Sequence, residues 1–278
     1  MEIIMVSELV IASIQMNSCA NFELNIDTAL SLISDATNAG ADMIVLPEYF
    51  AFMGLKETDK FEHVESHESG SMQKSMIQSA IDNNVWIIAG THPIESNEKK
   101  RPFGRCYVFQ PDGRVNCWYD KIHLFDVEVN DSTKNYCESK YSKAGHSPVI
   151  FETPWGKIGL AVCYDLRFPE LFRNMAKDGC EIFIMPAAFT YATGKAHWEI
   201  LIRARAIENQ CYFIASAQTG VHENGRETWG HSIVVSYTGE VLAELKEGSS
   251  YILHSINRAS QHQSRIDFPV LMHAKIIN

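Results

Sequence analysis

Three residues of different chemistry each end an apolar, β-forming run: Glu48 in IVLPEYF, Lys121 in WYDKIHLFD and Cys163 in GLAVCYDLRFPEL. A carboxylate, an ammonium and a thiol gathered at one place are the working set of a cysteine hydrolase. Hydrolysing an amide near neutral pH takes a nucleophile better than water, a proton shuttle that lets the amine leave, and a donor pocket for the tetrahedral oxyanion. Cys163 supplies the nucleophile, and since a free thiol is little ionised at pH 7 it needs an adjacent base or positive charge. Glu48 is the base expected there. It closes a run of Met43, Ile44, Val45 and Leu46, and a desolvated carboxyl has a raised pKa, so it can take the thiol proton and hand it to departing ammonia. Lys121 is left to hold the oxyanion, together with the backbone N–H of Tyr164. Taken singly, each residue has a plainer explanation: an ion-paired core Glu or Lys, or an inert packed Cys. The combination decides for chemistry, because three apolar runs that stop at a polar residue before a turn or helix mark the carboxyl ends of strands.

The elements around these residues alternate. LVIASIQM, MIVLPEYF and VWIIAGTHP read as strands separated by helical patterns near 25–39 and 72–83, which is βαβ grammar. RCYVFQ and VNCWYDK form a hairpin about Pro111-Asp112-Gly113-Arg114, where a type I turn followed by a left-handed Gly is expected, and its second strand delivers Lys121. A polar loop fills about 126–146. The pattern then resumes with VIFETPWGKIGLAVCYD, a helix opening at Pro169, EIFIMPAAF, a helix over 197–208 and CYFIASAQ. GADMIVLPE (40–48) and GCEIFIMPA (179–187) share a helix-ending Gly, an acidic residue, an apolar run and Pro, as two similar halves do. The fold expected is α/β: two βαβ-type halves packed sheet to sheet in a four-layer αββα sandwich, with no linker dividing the single domain 1–278.

The three segments resemble the Glu–Lys–Cys signature of the nitrilase, or carbon–nitrogen hydrolase, superfamily. The likeness runs from about residue 8 to 270, through GKIGLAVCYDLRFPELFR, AFTYATGKAHWEILIRARAIENQCY and GHSIVVSYTGEVLAEL. Within the superfamily the chain is most similar to the Nit branch, where amidases of deaminated glutathione come ahead of ω-amidases; CYFIASAQTGVH favours the former. The resemblance implies the same αββα fold, the same roles for Glu48, Lys121 and Cys163, and a homodimer or higher homo-oligomer. It matches Glu138 in CESK to a further active-site Glu that supports Lys121 and positions substrate, the alternative being a solvated loop residue. Here the chain departs from the family, with Asn130-Asp131 in place of the usual Pro-Gly in a loop one residue longer. The resemblance also places Arg167, Phe189 and Thr193 in the substrate pocket. Arg167 could hold a carboxylate bidentately, or serve a structural ion pair with Asp165 or Glu170.

Composition sets the remaining bounds. With 278 residues, 46% of them hydrophobic, the chain can bury one large core. A net charge of -10 speaks against nucleic acid or an anionic membrane as partner. Seven Cys form no CxxC pair and eleven His no HExxH, so no metal, no cofactor and no disulfide framework is expected, and reduced thiols suit a cytoplasmic protein. LVIASIQM is strand-length, behind an N-terminus bearing Glu2 and Glu8, and is neither a signal peptide nor a span. The expected function is an amidase that cleaves a primary amide of a small carboxylate-bearing metabolite, deaminated glutathione foremost, to free acid and ammonia through a thioester on Cys163. The alternatives are an ω-amidase acting on α-ketoglutaramate, a nitrilase using the same three residues, and a non-catalytic scaffold.

Overall fold

The computed structural model describes residues 8–129, 131, 133 and 135–275. β1 (Glu8–Gln15), α1 (Phe22–Asn38), β2 (Met43–Val45), α2 (Ser71–Asn83) and β3 (Trp86–Ile94) follow one another, then the antiparallel pair β4 (Phe103–Phe109) and β5 (Val115–Asp120). β1, β2 and β3 pair in parallel, and the strand Ser250–Asn257 runs antiparallel beside β1 to complete a six-stranded sheet. The second half repeats the plan. Strands Gly156–Leu160, Ile182–Ala187 and Tyr212–Ala217 pair in parallel at the centre of another six-stranded sheet, crossed over by α3 (Pro169–Lys177) and α4 (Tyr191–Asn209).

The alternation within β1 shows how the layers arise. Leu9 and Ile11 face the other sheet, in one core with Met43, Val45, Leu160, Ile184 and Ile214. Ala12 and Ile14 face the opposite way, in a second core with Ile26 and Ile33 of α1 and Met72 and Met76 of α2. A period-two strand covered by one-faced helices stacks helix, sheet, sheet, helix, which is the αββα sandwich expected. Buried polar side chains also cross between the sheets. Ser13 Oγ donates to Ala215 O at 2.9 Å, Ser216 Oγ donates to Ile14 O, and Gln15 Oε1 accepts from the backbone N–H and the hydroxyl of Ser232, each at 2.9 Å.

The echo between the halves extends to individual hydrogen bonds. Gly40 (φ 103°) and Gly179 (φ 89°) follow α1 and α3, and just beyond them the N–H of Ala41 bonds Ala36 O at 3.1 Å while that of Cys180 bonds Met175 O at 3.0 Å. Both ends turn a helix back into a strand by the same 6→1 bond. Gly113 takes φ 83° in the hairpin turn, as its position requires.

Two sequence expectations shift. α4 opens at Tyr191, six residues before 197, because its first turns pack on a residue far along the chain: a Cβ on Gly194 would lie 2.3 Å from Trp229 Cβ. The stretch 126–146 is not all loop; Asp126–Glu128 pairs antiparallel with Asn135–Cys137 in a ribbon too short to show a period. Asn130 lies outside the described residues, and the Asp131 carboxylate accepts from the Tyr136 hydroxyl at 2.9 Å. Among the described residues no helix is long and apolar enough to cross a membrane.

Candidate active site

Glu48 sits three residues beyond β2. The chain must turn sharply there, and Tyr49 takes the left-handed conformation (φ 59°). Gly90 of β3 makes the close approach possible, since a Cβ on it would lie 1.9 Å from Pro47 O. Lys121 follows β5 directly and is fixed at both backbone groups, its N–H donating to Gly104 O at 3.1 Å and its carbonyl accepting from Gly145 N–H at 2.8 Å. Glu138 begins a short 3-10 turn after the ribbon strand Asn135–Cys137. The ribbon's start and end meet at this residue, where the Phe125 N–H donates to Glu138 Oε2 at 2.7 Å.

Cys163 comes three residues after the strand Gly156–Leu160, at the first position of a 3-10 turn, Cys163–Arg167. Its φ is 50°, a left-handed backbone that costs a residue with a Cβ roughly 1–3 kcal/mol and persists only where the surroundings enforce it. Asp165 does the enforcing. Fully buried, it accepts from the Val162 N–H at 2.7 Å, the Tyr119 hydroxyl at 2.8 Å, and the backbone N–H and Nδ1 of His123 at 3.2 and 2.6 Å. In this turn the first backbone bond is donated by the Asp165 N–H, to Val162 O, so the N–H of Tyr164 belongs to the open first turn, where helix donors have no acceptor of their own.

The structure brings the charged groups together. Lys121 Nζ lies 2.9 Å from Glu48 Oε1 and 2.8 Å from Glu138 Oε2, and Glu48, Lys121 and Glu138 are 1%, 2% and 9% exposed. Burial alone would lower the Lys121 pKa, but the Glu138 and Glu48 carboxylates outweigh it and hold the ammonium well above the ordinary lysine value. Burial alone would raise Glu138; Lys121 and the Phe125 N–H bring it below the usual carboxylate range. Burial and then the Glu48 carboxylate push the Cys163 thiol well above its ordinary value, against the opposing pull of Lys121 and of the Ala188 N–H. The resting sulfur is therefore protonated, and Glu48 Oε2, buried, has no hydrogen-bond partner among the described residues.

A cavity of about 460 Å³ opens over these groups, with Tyr164, Phe189, Thr193 and Arg226 in its walls. Beyond Tyr49, Glu57, Tyr136 and Arg226 it continues into an outer hollow of about 680 Å³ that adds Lys56, Lys60 and Asn224. Phe189 and Thr193, which the resemblance places in the substrate pocket, line this cavity. Arg167 does not line the cavity: its guanidinium packs 5.3 Å from the Phe189 ring centroid and 5.9 Å from that of Tyr164, and its Nη1 meets His197 Nδ1 at 3.2 Å. It also makes neither expected ion pair, since Asp165 is turned inward to its own donors. Arg226 went unread in the sequence, and Asp165 was read there only as an ion-pair partner for Arg167. Both work through contacts distant in sequence, although the departure of a charged residue from the apolar spacing of CYDL was a signal for Asp165. Among the described residues no group of three or more His, Cys, Asp or Glu is placed to hold a metal ion.

Known proteins share this arrangement of chain. The carbon–nitrogen hydrolase family model matches residues 10–265. A deaminated glutathione amidase of Synechocystis is 39% identical over 265 residues, covering 94% of this chain and 96% of that one, and the human deaminated glutathione amidase is 38% identical over 271 residues, covering 95% and 82%. Among solved structures, the Caenorhabditis elegans NitFhit protein superposes with a TM-score of 0.87 at 34% identity, over 97% of this chain and 66% of that longer one. Saccharomyces cerevisiae Nit3 gives 0.86 at 25%, over 96% of both. A family match across nearly the whole length, joined to two sheets that carry a carboxylate, an ammonium and a thiol to one cavity, makes this chain a member of the carbon–nitrogen hydrolase family.

Proposed function

We propose that the chain is an amidase whose nucleophile is Cys163, whose base is Glu48 and whose oxyanion donors are Lys121 and the Tyr164 N–H. The observation that carries this reading is a buried Glu48 carboxylate, one oxygen held by Lys121 and the other, Oε2, without a hydrogen-bond partner among the described residues, in one cavity with a thiol whose pKa burial and Glu48 raise. Glu48 takes the thiol proton as sulfur attacks the amide carbonyl, and the transfer leaves the net charge of the cluster unchanged. Lys121 has three N–H bonds and spends two on Glu48 and Glu138. The third is free to meet the developing oxyanion opposite the Tyr164 N–H. Glu48 then protonates the leaving amine, a thioester remains on Cys163, and the same carboxylate activates the water that releases the acid. Glu138 keeps Lys121 charged and aimed.

Deaminated glutathione is the substrate this reading favours, supported by the names of the relatives and by the outer hollow, which has room for an extension beyond the scissile amide. With that substrate the departing group is the amine of cysteinylglycine; a primary ω-amide such as α-ketoglutaramate would release ammonia. The proposal extends to a homo-oligomer, supported by Ile200 and Ile207 standing 70% and 50% exposed on α4, and to a cytoplasmic setting, supported by seven free thiols. Mass spectrometry of protein quenched during turnover should find the acyl group on Cys163, and Cys163→Ala should abolish hydrolysis while its melting curve stays near that of the parent. An Ala variant that still turns over either amide, or an acyl group on another residue, defeats the assignment.

A further inference from the structure

Arg226 occupies an unusual electrostatic position. It stands on the turn between the short strands Thr219–Val221 and Glu227–Trp229, and that turn is well anchored. The His222 N–H bonds Arg226 O at 2.9 Å, the Arg226 N–H bonds Asn224 Oδ1 at 2.9 Å, and the buried His222 ring bridges Ser18 O and Thr228 Oγ1 at 2.9 and 2.8 Å. The guanidinium is therefore a fixed wall of the cavity. It lies 5.4 Å from the Tyr136 ring centroid and 5.9 Å from that of Tyr49, and its Nη2 donates to Ala188 O at 2.6 Å, two residues before Thr190 and in the same cavity wall as Phe189.

The guanidinium lacks an anion. Among the described residues no carboxylate lies within ion-pairing distance of it, and its Nε is buried without any hydrogen-bond partner. Two well-buried arginines show the contrast, with Arg105 held by Asp120 at 2.7 Å and Arg205 by Glu208 at 3.1 Å. A buried donor left unmet costs about 1–3 kcal/mol, and a planar guanidinium edge matches a carboxylate with two parallel bonds. Arg226 shares its cavity with Cys163.

We infer that Arg226, and not Arg167, receives the carboxylate on the acyl half of the substrate, which makes it the residue that selects carboxylate-bearing ω-amides over neutral ones. This rests on the amidase reading and narrows it. The bond recognised is the one between a fixed cation and the acid end of the acyl chain, so it is present in both deaminated glutathione and α-ketoglutaramate and absent from a neutral amide of equal length such as pentanamide.

The test compares kinetics of the parent, Arg226→Gln and Arg226→Lys on α-ketoglutaramate and pentanamide, and adds a measurement that needs no turnover: calorimetric binding of 2-oxoglutarate to Cys163→Ala protein, with and without Arg226→Gln. Losing charge-assisted hydrogen bonds should cut kcat/KM on α-ketoglutaramate by on the order of 10²-fold, mostly through KM, with pentanamide left within about threefold. Arg226→Lys should recover part of the loss, and it carries the comparison if the Gln variant melts early. Equal losses on the charged and neutral amides, or 2-oxoglutarate binding indifferent to Arg226→Gln, overturn the inference. If no amide is hydrolysed yet Arg226-dependent binding of 2-oxoglutarate persists, the carboxylate site stands and the amidase reading falls.

Discussion

Asp165→Asn separates the support of the nucleophile from the chemistry itself. The side chain keeps its shape but exchanges one oxygen for an NH₂, which cannot accept. If the NH₂ faces Val162 N–H and the Tyr119 hydroxyl, the hydroxyl can rotate to accept, but the backbone donor bonded at 2.7 Å is stranded. If it faces His123, the ring can offer Nδ1 as an acceptor, and only the backbone N–H bonded at 3.2 Å is lost. The second arrangement is cheaper, so the substituted amide should settle that way, keeping Val162 pinned and Cys163 in its left-handed conformation. One charge-assisted bond lost and one donor left unmet cost about 2–4 kcal/mol, which should lower Tm by roughly 5–15 °C. Turnover per folded molecule should fall by less than about tenfold, because the position of the sulfur is preserved. Asp165→Ala removes both pins, frees Cys163 to leave its strained φ, and should cost about 10²-fold or more in kcat even where the protein remains folded. Circular dichroism melts paired with amide hydrolysis at about 15 °C, below the expected onset of melting, read the two effects apart. Unchanged kcat in a folded Ala variant would refute the claim that Asp165 sets the nucleophile's geometry.

Lys121→Met leaves two buried carboxylates without their ammonium and should destabilise the fold by about 3–5 kcal/mol, with at least roughly a hundredfold lost in turnover; a variant with native Tm and near-native rate would show that neither role is real. Arg167→Lys should leave kcat/KM on α-ketoglutaramate little changed, and Arg167→Ala should lower it only about two- to fivefold, the value of a cation–π contact behind Phe189; a loss near that of Arg226→Gln would return the carboxylate to Arg167. Burial pushes His92 and His222 down to about 4, while unfolded histidines titrate near 6.5. The unfolded chain therefore binds more protons between those values, and stability should fall as pH drops from about 6.5 toward 4 by up to about 1.4 kcal/mol per unit for each ring. His222→Asn should flatten part of that slope in urea titrations, and a slope identical to the parent's would show that His222 is already protonated in the fold.

Residues whose placement is local were legible in the chain. Glu48, Lys121 and Cys163 each end an apolar run, and a strand end can be read from its own neighbours. Gly40 and Gly179 were equally plain, since a helix that must turn into a strand calls for a left-handed residue at that point. What stayed hidden depends on partners far away. Trp229 decides where α4 begins, Gly90 makes room for the turn at Pro47, and Asp165 meets Tyr119 across 46 positions. The left-handed φ of Cys163 was equally unreadable, because its Cβ argues against that conformation and only tertiary bonds reverse the preference. Arg167 drew attention because a fork-shaped donor four residues from Cys163 is chemically apt, yet the 3-10 turn carries it behind Phe189 and out of the cavity wall. Arg226 sat unnoticed in a polar turn, where charged residues are ordinary; what sets this one apart is a buried Nε with no partner among the described residues, which only the folded chain shows.

On the mechanism proposed, the bonds that cross between the sheets bear on how far a proton has to jump. Glu48 and Lys121 are carried by one sheet and Cys163 by the other, so the gap from thiol to carboxylate is set by how the sheets lie against each other. Apolar side chains alone would tolerate small sideways slippage. Ser13 on Ala215, Ser216 on Ile14 and Gln15 on Ser232 do not, and the Gln218 side chain clamps the Glu48 carbonyl itself at 3.0 Å. These bonds act as dowels through a laminate. Loosening one should broaden the distribution of donor–acceptor distances before it unfolds anything, so a dowel mutant would show scattered, slowed chemistry in a protein that still melts as a single cooperative unit.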